Sequence, residues 1–280
     1  MGMHDLLHDA AALKSAVKAY WEAEPCESRV GKSQDRRTFF EEIDRFRYEA
    51  YPWIMPFARF EESRGKRVLE VGLGSSSDFI RWARAGAVLS GRDLTETAVA
   101  WARERLAMEG LTADVSCGDV EALEFPDNFF DLVWSYGVIH CTPDTPKAVA
   151  EFYRVLRPGG TVRVMIYNLN GLTFFFQWCR FALLRGRPWM SRRQVAAAYT
   201  ESPGLKVYSI NEARELFSKF RDVRIETFID ITDTLDFPLS ERYRRDPVIR
   251  AGFAVAAPFR PVIQSLPKSL GTTMLIEGRK

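Results

Sequence analysis

Residues 68–78, with the sequence VLEVGLGSSSD, decide the fold of this chain. Residues 68–71 form a short apolar run typical of a buried strand, and a helical pattern begins at Ser77. Gly72 and Gly74 lie between the two, where the backbone must turn sharply and a ligand can approach main-chain donors closely; glycine tolerates both demands. An ordinary tight turn between strand and helix needs the same residues, so this interpretation stays open.

On the carboxyl side of this loop, short β-rich runs alternate with helical patterns. Such alternation predicts βαβ units and therefore an α/β fold with a doubly wound, mostly parallel, Rossmann-like sheet. Helices are predicted at residues 77–85, 95–108 and 211–219, with a further one opened by Thr145 and Pro146. Strands are predicted at residues 68–71, 88–91, 114–117, 130–135, 162–167, 223–228 and 272–277.

Three other parts of the chain do not follow this alternation of strands and helices. Residues 1–62 have apolar positions at helical spacing and predict a helical N-terminal cap in front of a domain of residues 63–280. Residues 168–209 and 230–270 are too long for ordinary connections, which indicates insertions in that domain. The first insertion contains an apolar, aromatic helix, for which we expect the role of a mobile lid; ordinary core packing is the alternative.

Composition excludes several classes of protein. The chain has 280 residues, 46% of them hydrophobic, and its 39 basic and 37 acidic side chains leave a net charge of +2 without long runs of like charge. A nucleic-acid partner is therefore not expected. The four cysteines lie far apart, so we predict neither a disulfide framework nor a metal site. No membrane span and no export signal are recognised, and we expect a soluble, cytoplasmic protein.

Asp93 is the first candidate ligand-binding side chain outside the loop. It ends the second predicted strand about twenty residues after the glycines, a position where a carboxylate can accept hydrogen bonds from both hydroxyls of a ribose. The alternative is that Asp93 caps the helix that starts near Thr95. The loop and this acid together favour a nucleoside ligand.

At this point the sequence resembles the class I S-adenosylmethionine-dependent methyltransferases, from Arg67 onward. The resemblance rests on GDV at residues 118–120, FDLV at residues 130–133 and RVLRPGG at residues 154–160. SYGVIHCTPD at residues 135–144 is similar to the members that act on small molecules; members that methylate nucleic-acid amino groups have Asn or Asp followed by two prolines there. The resemblance implies S-adenosylmethionine as cofactor and a small organic acceptor, for example one of secondary metabolism.

The resemblance also implies roles for individual residues. Glu70 would hold the ammonium group of the cofactor, although a salt bridge at the strand end is the alternative, and Asp119 would meet the adenine amino group. Ser76 stands where the family usually has a third glycine, and Ser75–Ser77 are expected to compensate by donating hydroxyls and capping the helix. The full set of predicted cofactor residues is Glu70, Gly72, Gly74, Ser76, Asp93, Leu94, Asp119, Val120 and Ser135.

Catalysis and acceptor binding are predicted from the aromatic residues and from one histidine. His140 is the only histidine after residue 8, so an imidazole general base would have to be this residue; simple packing near Pro143 is the alternative. Aromatic side chains of the cap and of two strand ends are predicted to enclose the acceptor. They are Tyr20, Trp21, Tyr48, Tyr136 and Tyr167.

Two other classes of function remain as alternatives at this stage. A nicotinamide-dependent oxidoreductase also has a glycine loop and a ribose-binding acid, but its loop needs glycine at the sixth position, where this chain has Ser77. A non-catalytic nucleoside-binding protein on the same scaffold is the other alternative. The sequence predicts no oligomeric state and does not indicate which acceptor atom would be methylated.

Overall fold

The computed structural model describes residues 9–237 and 247–280. The chain forms strands β1 (Arg67–Val71), β2 (Val88–Asp93), β3 (Asp114–Cys117), β4 (Phe130–Tyr136), β5 (Leu156–Tyr167), β6 (Arg221–Phe228) and β7 (Thr273–Arg279). Its helices are α1 (Ala10–Ala23), α2 (Arg36–Ala50), α3 (Ile54–Ala58), α4 (Ser77–Arg84), α5 (Glu96–Glu109), α6 (Thr145–Val155), α7 (Leu172–Phe181), α8 (Arg192–Tyr199), α9 (Ile210–Leu216), α10 (Pro247–Ala256) and α11 (Arg260–Gln264).

The seven strands form one sheet in the order β3-β2-β1-β4-β5-β7-β6. β7 pairs antiparallel to both β5 and β6, and the other pairs are parallel. The order reverses between β1 and β4, and ligands of open α/β sheets bind beside such a reversal, at the carboxyl ends of the strands. The predicted α/β class and the mostly parallel Rossmann-like sheet are confirmed.

Both faces of the sheet are covered, which explains why the strands are apolar almost throughout. Along β1, Leu69 and Val71 face a core that includes Phe152 of α6 and Phe217, which directly follows α9. Val68 faces the opposite core, which is built on α4 and α5. Each fully buried side chain of this size contributes about 1.5–3 kcal/mol of transfer free energy. The two cores therefore fix the positions of the strand ends at the carboxyl edge of the sheet.

The predicted cap contains α1, α2 and α3, and its first eight residues lie outside the described part. Buried and half-buried ion pairs hold α2 against α5: the guanidinium of Arg36 contacts both carboxylate oxygens of Glu104, and Arg105 contacts Asp44 at 2.6 Å. Within the two predicted insertions the structure has α7 and α8, and then α10 and α11; residues 238–246 of the second insertion also lie outside the described part. The division at residue 63 stays a prediction.

Two local predictions differ from the structure. β5 begins at Leu156, not at residue 162, because Leu156 pairs with Phe130 and the Gly159 N–H donates to the Lys280 carbonyl; this segment thus runs along the sheet instead of forming only a turn. The prediction that the serines of the glycine loop cap the following helix is also wrong. Ser76 precedes α4 in a left-handed conformation (φ 63°) and makes no capping bond through its side chain.

No helix among residues 9–237 and 247–280 has the length and apolar character needed to cross a membrane.

Candidate functional site

A cavity of about 210 Å³ opens at the carboxyl edge of the sheet, beside the reversal of strand order. Strand ends contribute Val71, Asp93, Tyr136 and Tyr167 to its wall. The cap and the two insertions supply the remaining sides. A space of this kind, enclosed by several elements and lined by a few polar groups, is a typical small-molecule site.

The glycine loop forms one wall of this cavity. Gly72 has φ 81°, and a Cβ built there would lie 2.0 Å from Cγ2 of Val138. Gly74 has φ 48°, and its added Cβ would come within 3.3 Å of the Cys26 Cβ, so the loop and the cap approach each other closely. Both positions thus need glycine, for conformation and for space.

Asp93 holds the loop from the neighbouring strand. One carboxylate oxygen accepts hydrogen bonds from the Leu73 N–H (2.7 Å) and the Gly74 N–H (3.3 Å). The other accepts from the N–H (2.8 Å) and the hydroxyl (2.7 Å) of Thr95. The cap of α5 is Thr95, whose side chain accepts from Ala98, and not Asp93. Because a carboxylate has about four acceptor positions, a ribose would share or displace some of these bonds.

Asp119 lies farther along the same wall and is paired with the N-terminal cap. Lys14 of α1 contacts Asp119 at 2.6 Å and Glu121 at 2.7 Å. The pKa of Lys14 is raised: partial burial lowers it, but the two carboxylates outweigh that effect. Val17 and Trp21 follow Lys14 at helical spacing and also line the cavity, so that one face of α1 closes the side of the cavity next to Asp119.

A buried ionic network links α2 to the glycine loop. Arg47 contacts Asp78 of α4 at 2.6 Å and Glu27 at 2.9 Å. The pKa of Arg47 is raised well above its ordinary value, because the attraction of these carboxylates exceeds the cost of burial. Tyr48 donates to Asp78 at 2.9 Å, and Glu27 also accepts from the Ser75 hydroxyl at 3.3 Å. The network thereby presents Arg47 and Glu27 to the cavity.

The opposite side of the cavity is aromatic and acidic. Tyr51, Tyr136 and Tyr167 line it, and the Tyr167 hydroxyl donates to the two carboxylate oxygens of Glu201 at 3.1 and 3.3 Å. Glu201 is exposed and lines the cavity. Desolvation by nearby protein atoms raises the pKa of Glu201, which the Tyr167 hydroxyl partly offsets. No lysine or arginine among the described residues forms an ion pair with Glu201.

Asp230 completes this acidic side, at the end of β6. It accepts hydrogen bonds from the Thr232 N–H at 2.8 Å and from the Thr273 hydroxyl at 2.8 Å. Burial, and then the nearby Asp233, raise the pKa of Asp230 to about 6. Asp230 can therefore exchange a proton near neutral pH, as a general base must.

His140 does not lie on the cavity wall. It is fully buried, its ring is 4.4 Å from that of Tyr167, and neither ring nitrogen has a hydrogen-bond partner among the residues that the structure describes. Burial, together with the charge of Lys206, lowers its pKa to about 3. This geometry supports the packing interpretation, and it gives no support to the predicted role of general base.

The structure brings most of the other predicted residues together, but not all of them. Glu70, Ser76 and Ser135 are buried behind the wall, and burial followed by the charge of Asp78 raises the pKa of Glu70 well above its ordinary value. Tyr20 and Tyr48 also do not line the cavity. Nine predicted residues do line it: Trp21, Gly72, Gly74, Asp93, Leu94, Asp119, Val120, Tyr136 and Tyr167.

Six charged wall residues are absent from the sequence predictions: Lys14, Glu27, Arg47, Arg92, Glu201 and Asp230. Arg92 and Asp230 follow predicted strands closely, and the rule that polar side chains gather at strand ends would have found them. The other four come from the cap and the first insertion. Nothing in the local sequence shows which face of these segments meets the sheet.

Comparison with known proteins matches one part of the chain to a known domain. Residues 69–164 match the family model described as a methyltransferase domain. An uncharacterized protein of Mycobacterium bovis is 36% identical over 107 residues, which are 38% of this chain and 39% of the relative. The ubiquinone/menaquinone biosynthesis C-methyltransferase UbiE of Neisseria meningitidis is 37% identical over 111 residues, 38% of this chain and 44% of the relative. The matches thus span about two fifths of the length of these relatives.

Solved structures show the same fold. Phosphoethanolamine N-methyltransferase 2 of Haemonchus contortus, in complex with S-adenosyl-L-methionine, is similar with a TM-score of 0.56 at 18% identity, over 100% of this chain and 60% of that one. The [4+2]-cyclase SpnF is similar with a TM-score of 0.52 at 18% identity, over 96% and 92% of the two chains. From the family model, the relatives and the shared fold, we conclude that residues 69–164 match a methyltransferase domain and that the chain has the fold of a methyltransferase solved in complex with S-adenosyl-L-methionine.

Proposed function

We propose that the protein binds S-adenosylmethionine and transfers its methyl group to a small organic acceptor. The observation that carries this proposal is the division of one cavity into two unlike sides. The glycine loop, Asp93 and Asp119 line the side formed by β1, β2 and β3. Tyrosines, Glu201 and Asp230 line the side formed by β4, β5 and β6.

The residues of the first side fit the cofactor. Carboxylates at the ends of β2 and β3 suit the ribose hydroxyls and the adenine amino group. The amino-acid end of the cofactor carries both a carboxylate and an ammonium group, and the cavity presents both a cation, Arg47, and an anion, Glu27, beside the glycine loop. We therefore assign this end to Arg47 and Glu27; Glu70 lies buried behind the wall.

When bound, the cofactor supplies a methyl group already activated on a sulfonium. The side chains of the protein then need only to orient the acceptor, exclude water and, if the acceptor arrives protonated, remove its proton. Glu201 and Asp230 are the two carboxylates suited to take that proton, because both reach the cavity and both have raised pKa values. The three tyrosine rings are placed to hold an acceptor of small size, such as one of secondary metabolism.

The nicotinamide alternative has less support. A dinucleotide pyrophosphate needs unpaired positive charge or free backbone donors. Of the three basic residues that line the cavity, Lys14 is engaged with Asp119 and Arg92 with Asp114 at 2.8 Å. The third, Arg47, is balanced by Asp78 and Glu27, which suits a ligand group that carries both charges and not a pyrophosphate, which carries only negative ones. The Leu73 and Gly74 N–H groups donate to Asp93.

Transfer of labelled methyl groups tests the proposal. The protein and S-adenosylmethionine labelled in its methyl group are added to a small-molecule extract of the cells that carry this gene. We expect label in an organic product, and we expect Glu201→Gln to slow the transfer by a factor of about 10² to 10⁴, as loss of a general base does. Glu226→Gln removes an exposed carboxylate of β6 and should leave the rate unchanged. Absence of labelled product, or equal rates for the two variants, contradicts the proposal.

A further inference from the structure

Two segments of the chain combine basic and apolar residues and contain no acidic ones. The first basic segment, residues 171–200, has five arginines, and the second basic segment, residues 247–270, has two arginines and one lysine. Together they carry +8, although the whole chain carries only +2, so the rest of the chain sums to −6. The charge is therefore distributed very unevenly along the chain, although the net charge is close to zero.

The same two segments expose most of the large apolar side chains. Nine large hydrophobic residues are exposed in the described part of the chain, and seven of them lie in these segments: Phe175, Leu183, Leu184, Trp189, Val255, Phe259 and Val262. Leu184 and Trp189 are each 77% exposed, within a run of seven exposed residues at 183–189. Residues 250–270 include α11 and most of α10, and not one of them is buried. Soluble proteins seldom leave so much apolar surface uncovered without a use for it.

Part of the positive charge in the segments is not balanced by an acidic residue of the described ranges. Arg193 pairs with Glu212 at 2.7 Å and Arg260 pairs with Asp236 at 2.8 Å. Arg185, Arg187 and Arg250 form no ion pair with another residue of the described ranges. Arg185 and Arg187 lie within the exposed run that also contains Leu184 and Trp189.

Both segments leave the same edge of the sheet. The first segment follows β5, and the second lies between β6 and β7. The first residue of β7, Thr273, pairs with Tyr167 at the end of β5 and with Phe228 at the end of β6, so all three strand ends lie at one edge. Contacts with one loop tie them together further: Thr173 of α7 donates to Asp233, and Arg260 of α11 donates to the carbonyl of Leu235. This is also the edge at which the cavity opens.

We infer that the two basic segments form a docking surface for an anionic lipid bilayer. Tryptophan and leucine side chains enter the boundary between headgroups and acyl chains, and arginines beside them attract anionic headgroups. Binding to a bilayer does not require a surface of complementary shape. Exposed apolar side chains that project individually, such as Leu184 and Trp189, can therefore insert into it. A second copy of this chain is a poorer occupant, because a symmetric contact would bring two strongly basic faces together. The inference does not depend on methyl transfer.

Sedimentation with vesicles tests this inference on the full chain. Vesicles of phosphatidylcholine alone are compared with vesicles that also contain phosphatidylglycerol. We expect the protein to sediment with the anionic vesicles only and to be released by salt, because screening weakens the attraction. Arg185→Glu with Arg187→Glu should weaken binding at least about tenfold, and Leu184→Ser with Trp189→Ser should weaken it as well.

Matched changes elsewhere serve as controls. Arg64→Glu with Lys66→Glu makes the same change of charge in front of β1, and Val88→Ser removes an exposed apolar side chain from β2; neither should alter sedimentation. Absence of binding to anionic vesicles overturns the inference, as does equal loss in the patch and control variants. A dimer in light scattering that Trp189→Ser dissociates assigns the surface to a second copy and also overturns it. Thermal unfolding verifies that each variant is folded.

Discussion

His140 shows how burial decides the chemistry of a residue. Its position just past β4 predicts a general base facing the cleft, yet its ring lies behind Cys141 and Tyr167 of the cavity wall. The ordinary pKa of a histidine is near 6.5, and burial lowers the pKa of His140 to about 3. A neutral imidazole that has no hydrogen-bond partner among the described residues contributes packing and no proton transfer.

Replacement of His140 by phenylalanine should therefore change acid stability and not turnover. Between pH 6.5 and 3 the unfolded chain binds a proton at this residue and the folded chain does not, so the free energy of unfolding falls as the pH falls, by roughly 1 kcal/mol per pH unit. His140→Phe removes this contribution, and denaturant titrations over that range should show a shallower slope. An unchanged slope, or a loss of turnover of a hundredfold with an altered pH profile, would show that His140 titrates and acts in the folded protein.

Three of the wall residues that the sequence missed differ from Asp93 and Asp119 in one respect. Asp93 and Asp119 lie at the carboxyl ends of strands. The topology of the sheet alone places such side chains at the edge where a ligand binds. Arg47, Glu27 and Glu201 come from the cap and the first insertion, and they reach the cavity only through tertiary packing. Sequence patterns that are local along the chain contain no information about such contacts.

At the scale of elements, the glycine loop is the most constrained. Gly72 and Gly110 both have positive φ, 81° and 64°, but only Gly72 has a neighbour where a Cβ would stand, at 2.0 Å from Val138. Gly110→Ala should cost about 1 kcal/mol of stability through the backbone alone. Gly72→Ala adds a clash and should cost several times more, with loss of cofactor binding. Thermal unfolding of both variants tests this, and equal losses would mean that Val138 moves aside easily.

Helix α1 is the element that covers the cofactor side of the cavity, and Lys14 is its charged attachment. Lys14→Met should raise the hydrogen-exchange rate of residues 10–23 by a few fold, because a half-exposed ion pair contributes at most about 1 kcal/mol. Lys18→Met is the matched control, since Lys18 is 3.7 Å from the exposed Glu96 and does not line the cavity. Equal exchange in the two variants would contradict an attachment through Lys14.

The elements themselves were predictable where the pattern is repetitive. The strands near the glycine loop were found because each is a short apolar run between helices with regular spacing. The start of β5 was missed because RPGG at residues 157–160 is a typical turn sequence. Its pairing with β4 and with the C-terminal residue depends on parts of the chain distant in sequence.

At the scale of the whole molecule, the sheet, the cavity and the two basic segments share one edge. The topology could be expected from βαβ alternation, and so could the location of the cavity, because strand order reverses at one place only in such a sheet. The concentration of positive charge could also be counted from the sequence. Exposure of the apolar residues beside that charge required the structure, since the same residues at helical spacing equally predict a buried core.

Calorimetric titration tests the central claim that this cavity is a site for S-adenosylmethionine. We expect S-adenosylhomocysteine, the demethylated product, to bind in the micromolar range and NAD not to bind. Asp93→Asn should weaken this binding about tenfold to a hundredfold, because it removes charge-assisted bonds while one oxygen remains for the Leu73 and Gly74 N–H groups. Asp127→Asn, at an exposed carboxylate paired with Arg154, should have no effect. Tight binding of NAD, or unchanged affinity of Asp93→Asn for S-adenosylhomocysteine, would contradict the assignment of this cavity to S-adenosylmethionine.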